Sequence, residues 1–299
     1  METFLEQVFN GVSQGSVLLL IALGLTFTFG QMGVINMAHG ELIMVGAYTP
    51  YVLQTEVALF AGATSTAFVL AIPVAFVAAG IVGALMEWLL LRRMYDRPLD
   101  TLLVTFGCAL LLQQAAKDYF GQQNVNVVAP SWLNGNIEVL GVVMPHSRLF
   151  IIGLVLATLA VIALILAKTP QGRRMRAVTE NRDLAAVSGL ANRRVDRLTF
   201  FIGSGLAGIA GVAISLIGAV GFQIGLSYII DAFLVVIVGG LGKLRGALIA
   251  AFALGLVNAF TEYGTSASIG KAMLFGLVIV FLQFRPNGIV SFRSRGLTT

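Results

Sequence analysis

Charge is scarce in this sequence. Only 11% of the 299 residues are Asp, Glu, Lys or Arg, and 58% are hydrophobic, giving a mean hydropathy of +0.91. An ordinary soluble domain carries about 25% charged residues, so that class is excluded. There is one cysteine, Cys108, inside an apolar run. No disulfide framework or cysteine metal site can be built from it. With two histidines in the chain, His39 and Glu41 alone are too few ligands for a metal. The period-two alternation of a membrane barrel is missing as well. Positive charge is absent at the start, where Glu2 and Glu6 stand in place of a signal peptide's basic residues. The first apolar run is therefore expected to be retained.

Nucleotide motifs fail on inspection. GSGLAGIAG (203–211) has the spacing GxGxxG, but no strand precedes it and its surroundings are apolar, so it reads as small residues for close helix packing. GGLGKLRG (239–246) lacks the Gly-Lys-Ser/Thr ending of a phosphate loop. No nucleophile–base constellation appears, so no catalytic residue is assigned, and nothing points to nucleic acid.

What the chain has is apolar runs. Nine reach or approach the roughly 20 residues that span a bilayer, near 8–30, 34–53, 64–91, 99–116, 148–167, 198–222, 226–241, 246–262 and 268–284. The expectation is an all-α, polytopic transmembrane bundle of about eight to ten spans forming one domain over 1–299, since backbone groups in hydrocarbon must be satisfied within helices. The seventh run is short and ends in glycines, as a re-entrant or broken helix would. Two glycine-interrupted regions, Gly30–Gly46 and Gly239–Gly255, suggest an internal inverted repeat.

Residues 168–197 hold eight Lys or Arg against Glu180, Asp183 and Asp196, a net of +5 (8 − 3), which equals the net charge of the whole chain. The positive-inside rule puts this loop in the cytoplasm. Lys243, Arg245, Arg285, Arg293 and Arg295 fall on the same side if nine spans alternate. The N-terminus is then extracytoplasmic, the C-terminus cytoplasmic and loop 117–147 outside. In that loop Asn134-Gly135 between two short apolar runs reads as a hairpin turn, either to hold a partner or to pack as a lid. Within the basic loop, Thr179 or Asn181 can cap a short helix with Asp183 in its first turn and Gly189 just past its end. Ala177, Leu184, Ala185 and Val187 would remain as apolar surface. A solvated loop is the ordinary reading of such charge, but a capped, rigidly tied helix fits a docking element better.

GVINMAHGELIMVGAY (33–48) puts Asn36, His39 and Glu41 into an apolar run. Polar groups there are costly and usually face a bundle interior or an aqueous path. On a helix Asn36 and His39 share a face, with Glu41 pointing elsewhere. Either they fix the backbone where spans one and two meet, or they line a path. The charge order puts residues 31–36 at the cytoplasmic surface, which favours the junction role for His39 and Glu41. Gln113, Gln114, Asp231, Asn258 and Glu262 are further candidates for a translocation path or gate, with interhelical hydrogen bonds as the alternative. A stand-alone channel or secondary carrier would need coupling residues, for which Asp231 or Glu262 would serve. A membrane enzyme is a more distant reading.

Several stretches resemble the inner-membrane permeases of branched-chain amino-acid-type ABC importers: GVINMAHGELIMVGAY, ENRDLAAVSGL, GSGLAGIAGV and DAFLVVIVGGLGKLRGA. Within that family RPLDTLLVTFGCALLLQQ and NVNVVAPSWLNG resemble most the permease subunit of urea transporters. The resemblance implies a bacterial inner-membrane importer for nitrogen uptake, with a second related permease subunit or a second copy of this chain. It also implies two cytosolic ATPases that hold the ATP and Mg, and an extracytoplasmic substrate-binding protein. Urea is the implied substrate, with a branched-chain amino acid or short amide as the alternative. By the same resemblance Ala177, Glu180, Asn181, Arg182, Asp183, Leu184, Ala185 and Gly189 form the ATPase-coupling loop.

Overall fold

A computed structural model describes residues 2–57, 62–95, 97–139 and 141–290. Arg293 and Arg295, used above to orient the chain, lie outside them. The nine expected spans are nine helices: α1 (Glu2–Met32), α2 (His39–Thr55), α3 (Thr64–Leu89), α4 (Pro98–Phe120), α5 (His146–Lys168), α8 (Asn192–Ile214), α9 (Ile224–Gly239), α10 (Leu244–Gly264) and α11 (Ala267–Phe284). Two short helices, α6 (Pro170–Glu180) and α7 (Arg182–Val187), separate α5 from α8. Among the described residues seven helices are long and apolar enough to cross a membrane. The two short ones, α2 and α9, have 17 and 16 residues. At 1.5 Å per residue each covers about 25 Å, less than the roughly 30 Å of hydrocarbon.

Both short helices begin inside the bundle. After α1, Gly33 turns the chain at φ +65°, and residues 34–36 carry no regular structure before α2 starts at His39. His39 lies against Ile21 and Gly24 of α1, eight to eleven residues before that helix ends. That is about 12 to 16 Å in from the end of α1. His39 and Glu41 thus lie further in from the end of α1 than the charge order, which put residues 31–36 at the cytoplasmic surface, led one to expect. A run of α2 from residue 34 was expected because hydropathy averages over a break that is apolar itself.

The contacts of α1–α4 are repeated by α8–α11. Helix α1 packs along α10 as α8 packs along α3, and α2 lies on α8 as α9 lies on α1. The centre is made by α1 against α8 and α2 against α9. Gly24 of α1 faces Gly203 of α8, while Gln31 reaches Thr199 and Asp196, so these two helices run antiparallel and the second half is inverted. The repeat exists, but the break after α1 corresponds to residues 215–223 before α9. It does not correspond to Gly239–Gly255. Gly30 and Gly242 instead touch across the bundle: a Cβ on Gly30 would stand 2.8 Å from Gly242 Cα.

Glycine sets the close approaches, as small residues do where helices pack in lipid. A Cβ on Gly40 would stand 2.6 Å from the Gly225 carbonyl oxygen, so α2 and α9 cross backbone to backbone. Outside this core α4, α5 and α11 leave Leu103, Leu111, Leu156, Val161, Ile279 and Phe284 exposed, as lipid- or partner-facing surface requires. Between α4 and α5 a hairpin pairs Asn136–Val139 (β1) with Val142–Pro145 (β2), matching Val139 to Val142 and turning at Gly141 (φ +79°). The turn expected at Asn134-Gly135 lies just before β1. The first apolar run instead sends Val125 to an antiparallel bridge with Val220.

The packing yields a paired prediction. Gly208→Val puts methyl groups where a Cβ would already stand 2.8 Å from Ala79 Cβ, and overpacking costs about 1–3 kcal/mol. The detergent-solubilised protein should unfold several degrees lower. Gly153→Ala, with nothing within 4 Å of the added carbon, should leave the midpoint unchanged or raise it.

Candidate translocation and coupling sites

The break between α1 and α2 is held by side chains aimed at backbone. Asn36 precedes the helix and shares no helical face with His39. Its Oδ1 accepts the Ala38 N–H at 3.0 Å, and Thr105 of α4 takes the Met37 N–H at 3.1 Å. His39 Nε2 donates to the Ile21 carbonyl at 3.1 Å, which fixes the proton on that nitrogen. Its ring fits only because residue 24 is glycine: a Cβ there would stand 2.8 Å from His39 Cε1. Glu41 Oε1 accepts from Gln113 Nε2 at 2.8 Å. Asn36, His39 and Glu41 are all buried, and Asn36 Nδ2, His39 Nδ1 and Glu41 Oε2 have no partner among the described residues. Unsatisfied buried groups cost about 1–3 kcal/mol each, so these are the atoms a water or polar solute would satisfy. The first N–H groups of α2 and α9 converge beside them, with the positive ends of both helix dipoles.

Gln113 links this centre to an open groove of about 790 Å³ along α4, which Cys108, Lys117 and Phe222 also line. Gln114 lies in the same groove but turns to Asp118 at 2.7 Å. Asp231, Asn258 and Glu262 come together elsewhere, toward the hairpin end of the bundle. Asn258 Nδ2 donates to Glu262 Oε1 and to Gln14 Oε1, both at 3.0 Å, and Gln14 Nε2 reaches Glu262 Oε2 at 3.4 Å. Asp231 pairs with Lys271 at 3.5 Å. The structure thus divides the polar candidates into two groups, one at the centre and one toward the hairpin.

At the opposite end α6 and α7 form a hairpin of helices. Of the two possible caps Asn181 serves, accepting from Asp183 N at 3.1 Å and Leu184 N at 2.9 Å. Gly189 (φ +84°) ends the element, where Leu190 N–H reaches back to Ala185 O. Leu184 and Val187 stand 64% and 87% exposed, and Ala177, Glu180 and Asp183 also face outward. Ala185, expected on that surface, is turned inward at 5% exposure and packs into the core cluster. A six-residue helix has to bury one side to stay attached, and Ala185 lies on that side.

Arg182 anchors the element, in a way hydropathy could not reveal. Its guanidinium forks onto the fully buried Asp196 carboxylate of α8, which Gln31 of α1 also contacts at 3.4 Å. The same guanidinium lies 5.2 Å over the Tyr95 ring. Tyr95 donates to the buried Glu87 of α3, which Arg197 approaches at 3.4 Å. Burial, with the bond to Glu87 next in importance, pushes the Tyr95 hydroxyl well above its ordinary pKa, so it stays protonated and donating. The one available sequence signal was acidic residues at the edges of apolar spans beside arginines.

The family model described as branched-chain amino acid transport system / permease component matches residues 7–282. The chain belongs to this family. The permease is 32% identical to the high-affinity branched-chain amino acid transport system permease protein LivH of Escherichia coli strain K12, over 96% of this chain and 95% of the relative. It is 30% identical to BraD of Pseudomonas aeruginosa, a permease protein of the same description, with the same coverages. A probable LivH of Methanocaldococcus jannaschii is 29% identical over 94% of the permease and 90% of the relative. No solved structure matches it. It is an ABC-type permease and a multi-pass membrane protein, and its relatives are transport subunits rather than enzymes.

The central geometry separates two histidine variants. His39→Gln can still donate to Ile21 O and should keep most of the folded yield and transport. His39→Leu should lose much of both, because the buried Ile21 carbonyl loses its side-chain donor at a cost of about 1–3 kcal/mol. Yield after detergent extraction and uptake in reconstituted vesicles are the readouts.

Proposed function

We propose that the permease forms one side of the translocation path of an ATP-driven importer for branched-chain amino acids, with ATP and Mg held on two separate cytosolic ATPase subunits. The observation that carries this reading is the α6–α7 element. It presents Leu184 and Val187 outward while Arg182 ties it to α1, α8 and the residues after α3. An apolar knob on a charged, membrane-flanking element is fitted to another protein, and its anchoring gives that protein a lever on the helices around the centre. A second permease subunit would close the groove along α4, and a substrate-binding protein would deliver cargo at the hairpin end. The net +5 of residues 168–197 supports α6–α7 in the cytoplasm and the hairpin outside. The N-terminus is then extracytoplasmic and the C-terminus cytoplasmic.

For the substrate, the printed descriptions of the relatives favour a branched-chain amino acid. The urea reading, drawn from residues 97–114 and 124–135, finds no support among them and gives way to it.

Two measurements test this. Leu184→Asp puts a charge into a docking surface that needs packing, and uptake in proteoliposomes with the ATPases should fall roughly tenfold or more. Normal uptake by a well-expressed variant would remove the docking role, and gradient-driven uptake without ATPases would replace the importer by a carrier. In intact cells a cysteine label at Asn134 should react from outside, while a reporter fused after Thr299 should be cytoplasmic. The reverse pattern would invert the topology.

A further inference from the structure

Toward the hairpin end a cavity of about 400 Å³ lies among α1, α5, α9, α10 and α11. Its polar lining holds Glu262 and Asp231 with Lys271 and Arg148, two carboxylates and two cations that sum to zero. Ser13, Ser227 and Tyr228 add hydroxyls, and Val17, Leu18, Ile214 and Leu274 supply an aliphatic stretch of wall. Ile224, the first residue of α9, also lines it, next to the Gly225 that crosses Gly40. A cavity with both signs of charge and no excess suits a ligand that carries both, and one of this size is within the range of small-molecule sites.

We propose that this cavity binds a zwitterionic α-amino acid with a branched aliphatic side chain before it reaches the Gly40–Gly225 crossing. The proposal rests on the importer reading above and adds the place where cargo is held. Glu262 and the amide oxygen of Asn258 receive the ammonium. Asn258 Oδ1 is buried there without a partner among the described residues, and its Nδ2 is already committed to Glu262 and Gln14, so an arriving donor would satisfy it. Lys271 and Arg148 receive the carboxylate. Among the described residues Lys271 pairs with Asp231 at 3.5 Å and Arg148 with the neutral amide oxygen of Asn10, so both keep donors for an anion. The aliphatic wall takes the side chain, and a substrate lacking either charge leaves one pair of groups without its partner.

The test is equilibrium binding of labelled L-leucine to the assembled transporter in nanodiscs, without the substrate-binding protein. 3-Methylbutylamine, which lacks the carboxylate, and 4-methylpentanoate, which lacks the ammonium, serve as competitors. Each should compete about tenfold or more weakly than leucine, and Glu262→Gln and Lys271→Gln should each weaken leucine binding by about tenfold or more. Competition by either analogue as strong as by leucine overturns the site, and so does unchanged binding in both folded variants. The analogue arm uses the unaltered protein, so a variant that fails to assemble leaves the outcome decided there. ATP-dependent leucine uptake without such binding overturns the site alone, whereas no ATP-dependent leucine uptake overturns the importer reading beneath it.

Discussion

Where Gly40 lies on Gly225, two backbones meet inside the bundle with no side chain between them, and two helices begin there instead of at a membrane surface. The chain breaks before both helices, at residues 33–38 and 215–223. Non-helical backbone at membrane depth is tolerated only when its N–H and C=O groups find partners inside the protein or a water-filled cavity. The polar residues of the first break answer this requirement one by one: Asn36 for Ala38 N–H, Thr105 for Met37 N–H and His39 across to Ile21. A polar cluster in an apolar run is thus first the price of a broken helix, and its spare donors and acceptors are what remains for a solute.

The Arg182–Asp196 pair belongs to a different physical regime. A buried ion pair contributes little net stability, because desolvating both charges offsets their attraction. What it supplies is position. Removing either partner strands a charge, so α7 is held in one orientation relative to α8, and Gln31 extends that constraint to the last turn of α1. The break that leads to His39 starts two residues later at Gly33. Arg182 and Gln31 thus connect α7 by contacts to the end of α1, next to the segment that sets where α2 begins.

The sequence made the spans legible because burial in lipid is an average property of 20 residues, and averages survive local errors. The same averaging hid the start of α2, since residues 33–38 are nearly as apolar as the helix that follows. The helix cap at Asn181 and the stop at Gly189 were readable because both are local. Ala185 was not, because its burial depends on how α7 leans on its neighbours. Glu87 and Asp196 depend on partners 8 to 165 residues away, which no periodicity reports. The hairpin was misplaced for a simpler reason: Asn134-Gly135 has the better turn chemistry, but the pairing of Val139 with Val142 puts the turn at Gly141.

The inverted pairing also bears on direction. The seam of α1 with α10 and the seam of α3 with α8 are both lined by glycines packed against backbone, Gly15 and Gly255 in one, Gly205 and Gly208 in the other. Such seams have little room to slide, and the Gly40–Gly225 crossing between them is packed backbone to backbone in the same way. A structure that is the same upside down gives a solute no preferred direction. The asymmetry comes from α5, α6 and α7, which lie between the two repeated halves and have no counterpart in either. They carry the basic charge, the exposed Leu184 and the anchored Arg182, all at one end. An inserted, one-sided element on an otherwise two-sided bundle makes the two ends of the fold chemically different.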